Sequence, residues 1–135
     1  MGRLVLAVVV LAGLLGGCTS LAEVRPGEGK KGTFRGYSYD QLWTAVYRVA
    51  EEHFEIREMD KARGLIKAER TFHYMQGRGN WVGIYVTPPR AGAPAYQVEV
   101  VAIGKARVEI LGQAWESKVL RQTQFALDNP SKPIP

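Results

Sequence analysis

One cysteine and two histidines are all that 135 residues offer of the usual metal- and disulfide-forming side chains. A single thiol, Cys18, has no partner for an intramolecular disulfide. Zinc sites need three or four ligands at recognisable spacing, and Cys18, His53 and His73 do not provide them. His53 falls at the end of a helical stretch, where an imidazolium suits the negative end of the helix dipole. His73 falls in a loop. Nucleophile signatures are missing as well: Ser20, Ser38, Ser117 and Ser131 stand in no G-x-S-x-G setting. Gly77-Arg78-Gly79 leads into a strand, so it lacks the helical amides that would cradle a phosphate. Glu51 and Glu52 are adjacent on a helix and diverge by about 100°, which defeats a shared acid–base role. Glu55, Arg57 and Glu69 read as a charge ladder on strands. The sequence gives no catalytic residue, no metal site and no cofactor site.

Charge of one sign is also lacking. Eighteen Lys and Arg are interspersed with thirteen Asp and Glu, a net of +5. A nucleic-acid footprint is a concentrated basic face, and no such run exists, so nucleic acid is not an expected partner. Arg25, Lys30, Lys31 and Arg35 outnumber Glu23 and Glu28 locally, which either favours anionic head groups or simply solvates a linker.

No apolar run is long enough to span a bilayer. Leu4 to Leu15 is unbroken and apolar, preceded by Arg3, but twelve helical residues reach only about 18 Å of the roughly 30 Å core. That length fits the apolar region of a secretory signal. The run ends in Leu15-Gly16-Gly17-Cys18, which resembles the lipobox of bacterial lipoproteins: a Leu, two small residues and a Cys. The resemblance covers the first 18 residues. It implies that residues 1–17 are a cleaved signal peptide and that Cys18 carries diacylglyceryl and palmitate-type chains, fixing the protein to a membrane. Thr19 follows the Cys where Asp would signal inner-membrane retention, so the resemblance places the protein at the outer membrane, facing the periplasm.

Residues 18–32 hold Gly, Pro and charge without periodicity and read as a flexible, lipid-anchored tether. Thr33 to Tyr37 is a short strand. Ser38 and Gln41 form a capping-box pattern, with Tyr37 and Leu42 as the hydrophobic staple. Leu42, Val46, Val49 and Ala50 then share one helical face, predicting a helix over 39–53. The period switches to two for a hairpin, residues 54–57 and 65–72, with Gly64 at a positive-φ turn position. Residues 73–80 are a loop and 81–87 a strand. Residues 96–103 and 106–111 read as a second hairpin and 114–127 as a second helix. Residues 128–135 read as a disordered tail.

This organisation predicts one α+β domain over 33–127: an antiparallel sheet of five to six strands with two helices on one face, in the order β-α-β-β-β-β-β-α. The order resembles the helix-grip domains of the outer-membrane assembly lipoprotein BamC. On the strand 81–87, Val82, Ile84 and Val86 share one face, and Trp81 and Tyr85 the other. If the helices cover the valines, Trp81 and Tyr85, with Tyr74 just before them, face outward as a candidate partner-binding set. Otherwise they form cross-strand pairs or lie beneath the second helix. The expected function is an envelope lipoprotein whose non-catalytic domain binds an envelope protein or peptidoglycan, or serves a structural role. The alternative is a small envelope hydrolase or metal-dependent enzyme.

Overall fold

The computed structural model describes residues 19–71, 79–87, 95–105 and 112–135. The signal segment, Cys18, Tyr74, His73 and the strand expected at 106–111 lie outside the described residues. Elsewhere the fold is α+β. Strands β1 (Lys30–Arg35), β2 (Glu55–Asp60), β3 (Leu65–Thr71), β4 (Gly79–Val86) and β5 (Ala95–Gly104) form a five-stranded sheet in the order β1-β5-β4-β3-β2. Every pair is antiparallel. Helices α1 (Tyr39–His53) and α2 (Gly112–Asp128) cover one face.

Local chemistry explains α1. The Ser38 hydroxyl accepts from the Gln41 amide at 3.1 Å, and the Gln41 side chain accepts from the Ser38 amide at 2.8 Å. This reciprocal capping box satisfies two donors that the first turn would otherwise leave unpaired. Leu42, Val46, Val49 and Ala50 are fully buried, and Trp43 and Ala45 join them. They meet Ile66, Ala68, Val82, Ile84, Val86, Val98 and Val100 from the sheet, and Val119 and Ala126 from α2.

Gly64 takes φ +66° in the β2–β3 turn. A Cβ there would sit 2.0 Å from the Val86 carbonyl oxygen, and Gly64 itself accepts the Val86 amide at 2.7 Å. The turn therefore needs glycine for both its dihedral and its close approach.

Three segments depart from expectation: β4 begins at Gly79, so Gly79 and Asn80, expected in the 73–80 loop, are strand paired with Thr71 and Arg70, and the chain at either end of the domain is ordered. Residues 19–29 are not a free tether: they run along the sheet's second face, through a single 3-10 turn at Leu21–Glu23, and β1 begins at Lys30 rather than Thr33. Val24 in this strap is 1% exposed. Nor is the region after α2 a loose tail. Ile134 packs on the core, the Arg48 guanidinium donates to the Lys132 carbonyl, and the Gln122 side-chain amide donates to the Pro135 carbonyl at 2.9 Å. Both end segments lack periodicity because neither belongs to a helix or a sheet interior. Each is held instead by contacts with residues remote in sequence.

Candidate functional site

The candidate site is the second face of the sheet. The two-residue period of β4 sends Val82, Ile84 and Val86 to the helices and Trp81, Gly83 and Tyr85 to the opposite side. Trp81 and Tyr85 do lie opposite the aliphatic face, but they are half-buried rather than bare. The chain's own residues 19–27 cover them.

The strap is latched at three levels. At the upper end, the Thr19 amide donates to the Lys105 carbonyl at 3.0 Å. The Thr19 hydroxyl lies 2.5 Å from the Gly104 carbonyl oxygen and 3.1 Å from that of Lys105. The Trp81 indole N–H donates to the Thr19 carbonyl at 3.1 Å. In the middle, the Tyr85 hydroxyl donates to the Val24 carbonyl at 3.0 Å. Val24 itself sits over Gly83, where a Cβ would come within 2.4 Å of Val24 Cγ1. At the lower end, the Gly27 amide donates to Glu99 Oε1 at 2.5 Å. Two aromatic donors, a glycine gap and a carboxylate thus hold a segment whose own secondary structure is a single 3-10 turn.

Charges beside the upper latch are mutually committed. Lys105 Nζ reaches Glu69 Oε2 at 2.9 Å and the Thr71 hydroxyl at 2.7 Å, and lies 4.4 Å from the centroid of the Trp81 ring. Arg57 Nε donates to Glu69 Oε1 at 2.9 Å. The hydrogen bonds from Lys105 and then Arg57 hold the Glu69 carboxyl below the usual carboxylate range, outweighing its burial. A carboxylate so engaged is a poor proton shuttle. Burial, with Glu99 and Glu58 nearby, pushes the Tyr85 phenol up, so it remains a donor to the strap at any ordinary pH.

Two buried polar groups were not signalled by the sequence. Asn80 is fully buried on the helix side of β4, and among the described residues neither its side-chain nitrogen nor its oxygen has a hydrogen-bond partner. The signal available was its place in the alternation, one position in register before Val82. Glu99 is 5% exposed. Among the described residues its Oε2 makes no hydrogen bond and has Lys31 Nζ at 4.0 Å. A shallow hollow of about 330 Å³ lies beside it, lined by Gly27, Lys31, Arg63, Tyr85 and Glu99.

His53 closes α1, where its ring hydrogen-bonds the Gln122 side chain and packs against Phe54 and Trp115. Burial lowers its pKa, partly offset by the Gln122 bond. Among the described residues, no three His, Cys, Asp or Glu side chains are grouped to hold a metal. No described helix is long and apolar enough to cross a membrane. No protein-family model matches the chain, and no curated protein matches it significantly.

Proposed function

We propose that the protein is a bacterial envelope lipoprotein, anchored through a lipid on Cys18, whose small domain has a binding or structural role rather than a catalytic one. The observation that carries this is the Leu15-Gly16-Gly17-Cys18 lipobox at the end of an apolar run too short to span a bilayer. Thr19 after the Cys favours the outer membrane and a periplasmic domain, with an envelope protein or peptidoglycan as partner. The chemistry of the second face supports a non-catalytic role: the Trp81 and Tyr85 donors and one Glu99 oxygen hold the strap, and Glu69 is paired with Lys105 and Arg57. Trp81 and Tyr85 serve the fold in that arrangement, so a partner approaching this face meets residues 20–26 first.

The test is metabolic labelling. Each buried methylene contributes about 0.8 kcal/mol, and two or three acyl chains anchor a protein firmly where one holds marginally. The wild-type chain should take up labelled fatty acid and fractionate with membranes. Cys18→Ala should take up none. Equal labelling of Cys18→Ala would overturn the reading.

A further inference from the structure

The upper latch fixes Thr19, the residue that follows the proposed lipid site. Thr19 is bonded through its amide, its carbonyl and its hydroxyl to the ends of β4 and β5. The Cα of the preceding residue is about 3.8 Å away along the chain. No spacer therefore separates the anchor from the folded domain, and one end of the sheet is tied to it: the end carrying Thr71, Gly79, Gly104 and Lys105.

The helix side of the same end has a second relevant feature. Glu116 of α2 accepts the Ala102 amide at 3.1 Å, which brings the first turns of α2 to the end of β5. There Trp115 is partly exposed, with the Arg70 guanidinium 4.6 Å and the Lys118 ammonium 4.7 Å from its ring centroid. Trp115 with the Lys118 ammonium beside it suits the head-group layer, where the exposed part of the ring meets the apolar boundary and the ammonium meets phosphate. Lys105 adds no free charge here, because it is spent on Glu69 and the Trp81 ring. The covalent lipid, not net charge, would do the holding.

We propose that the domain is held close to the phospholipid surface in one orientation, with the end of the sheet that carries Thr71, Gly79 and Lys105, and Trp115 beside it, turned toward the head groups. This rests on the lipoprotein reading. The β2–β3 turn, with Ala62 exposed at its tip, then points away, about 20 Å further out along β3 at 3.4 Å per residue.

The experiment uses the natively lipidated full chain in vesicles of phosphatidylethanolamine and phosphatidylglycerol doped with a nickel-chelating head group. The lipid occupies the chain's one thiol, so a nitroxide can be placed uniquely on Thr71→Cys or Ala62→Cys. Glu55→Cys, exposed at the start of β2 on the same end as Thr71, provides a second near-end probe that leaves the Lys105 contact intact. The proposal expects several-fold greater nickel-induced relaxation at Thr71→Cys and Glu55→Cys than at Ala62→Cys. A flexible Gly-Ser insert between Cys18 and Thr19 should bring the positions to parity. Equal relaxation without the insert, in protein that floats with the vesicles and carries lipid, overturns the orientation but not the lipoprotein reading. A chain that takes up no lipid overturns both.

Discussion

Gly83 closes the second face of the sheet by having no side chain. Between Trp81 and Tyr85 it leaves a gap that Val24 fills, with 2.4 Å between Val24 Cγ1 and the place a Cβ would occupy. Gly83→Ala should evict Val24 and cost about 1–3 kcal/mol, the usual range for overpacking a closed core, read as a lower urea midpoint at constant m-value. An unchanged midpoint would mean that Val24 does not rest there. Glu69 makes a different kind of contribution. Its folded-state carboxyl is held below its ordinary pKa by Lys105 and Arg57, so the folded state binds that proton less readily than the unfolded one. The stabilisation is present above the unfolded value near about 4.3 and is lost as pH falls through the lower folded value. Glu69→Gln should therefore lower the melting temperature at pH 7. The difference from wild type should shrink as pH falls below the unfolded value and vanish once pH is below the lower folded one. A pH-independent difference would assign the loss to packing instead of charge.

The elements divide by how local their determinants are. The sequence expectation for α1, residues 39–53, matches its observed span because the cap, the staple and the apolar stripe all lie within fifteen residues. Ser38→Ala should remove about 1 kcal/mol, within the 0.5–2 range for such caps, and a full chemical denaturation curve measures it. The β2–β3 hairpin was equally legible through alternation and Gly64. The true start of β1 was not. Its only buried side chain is Phe34, and its partner is β5, so that Lys30 pairs with Val100; neither a period nor a nearby turn marks the strand. The strap was hidden for the same reason. Leu21, Ala22 and Val24 stand among charge, Pro and Gly without a period, and the seat of Val24 is built by Gly83 and Tyr85 some sixty positions later. The Trp81 and Tyr85 rings were recognised as the unusual feature of β4, but their partner lay in a segment whose composition resembled a linker. Asn80 was hidden in another way: it closes a Gly-rich polar run that reads as a loop, and only the extension of β4 back to Gly79 puts it in register with Val82 and buries it.

At the scale of the molecule, an antiparallel sheet with helices on one face commonly leaves the other to water. Here the chain returns over that face before β1 begins, and both faces of β4 are covered. The strap shields Trp81 and Tyr85, orders the segment next to the proposed lipid site and leaves the anchor no slack. The account therefore turns on whether residues 19–27 belong to the fold. Amide hydrogen exchange on a chain spanning residues 19–135 tests this directly, because the Gly27 amide donates to the Glu99 carboxylate. Protection of Gly27 approaching that of the β4 and β5 amides, lost together with Val24 packing in Gly83→Ala, is the expected result. Exchange of Gly27 at unfolded-chain rates while β4 and β5 remain protected would contradict it, returning residues 19–27 to a free tether.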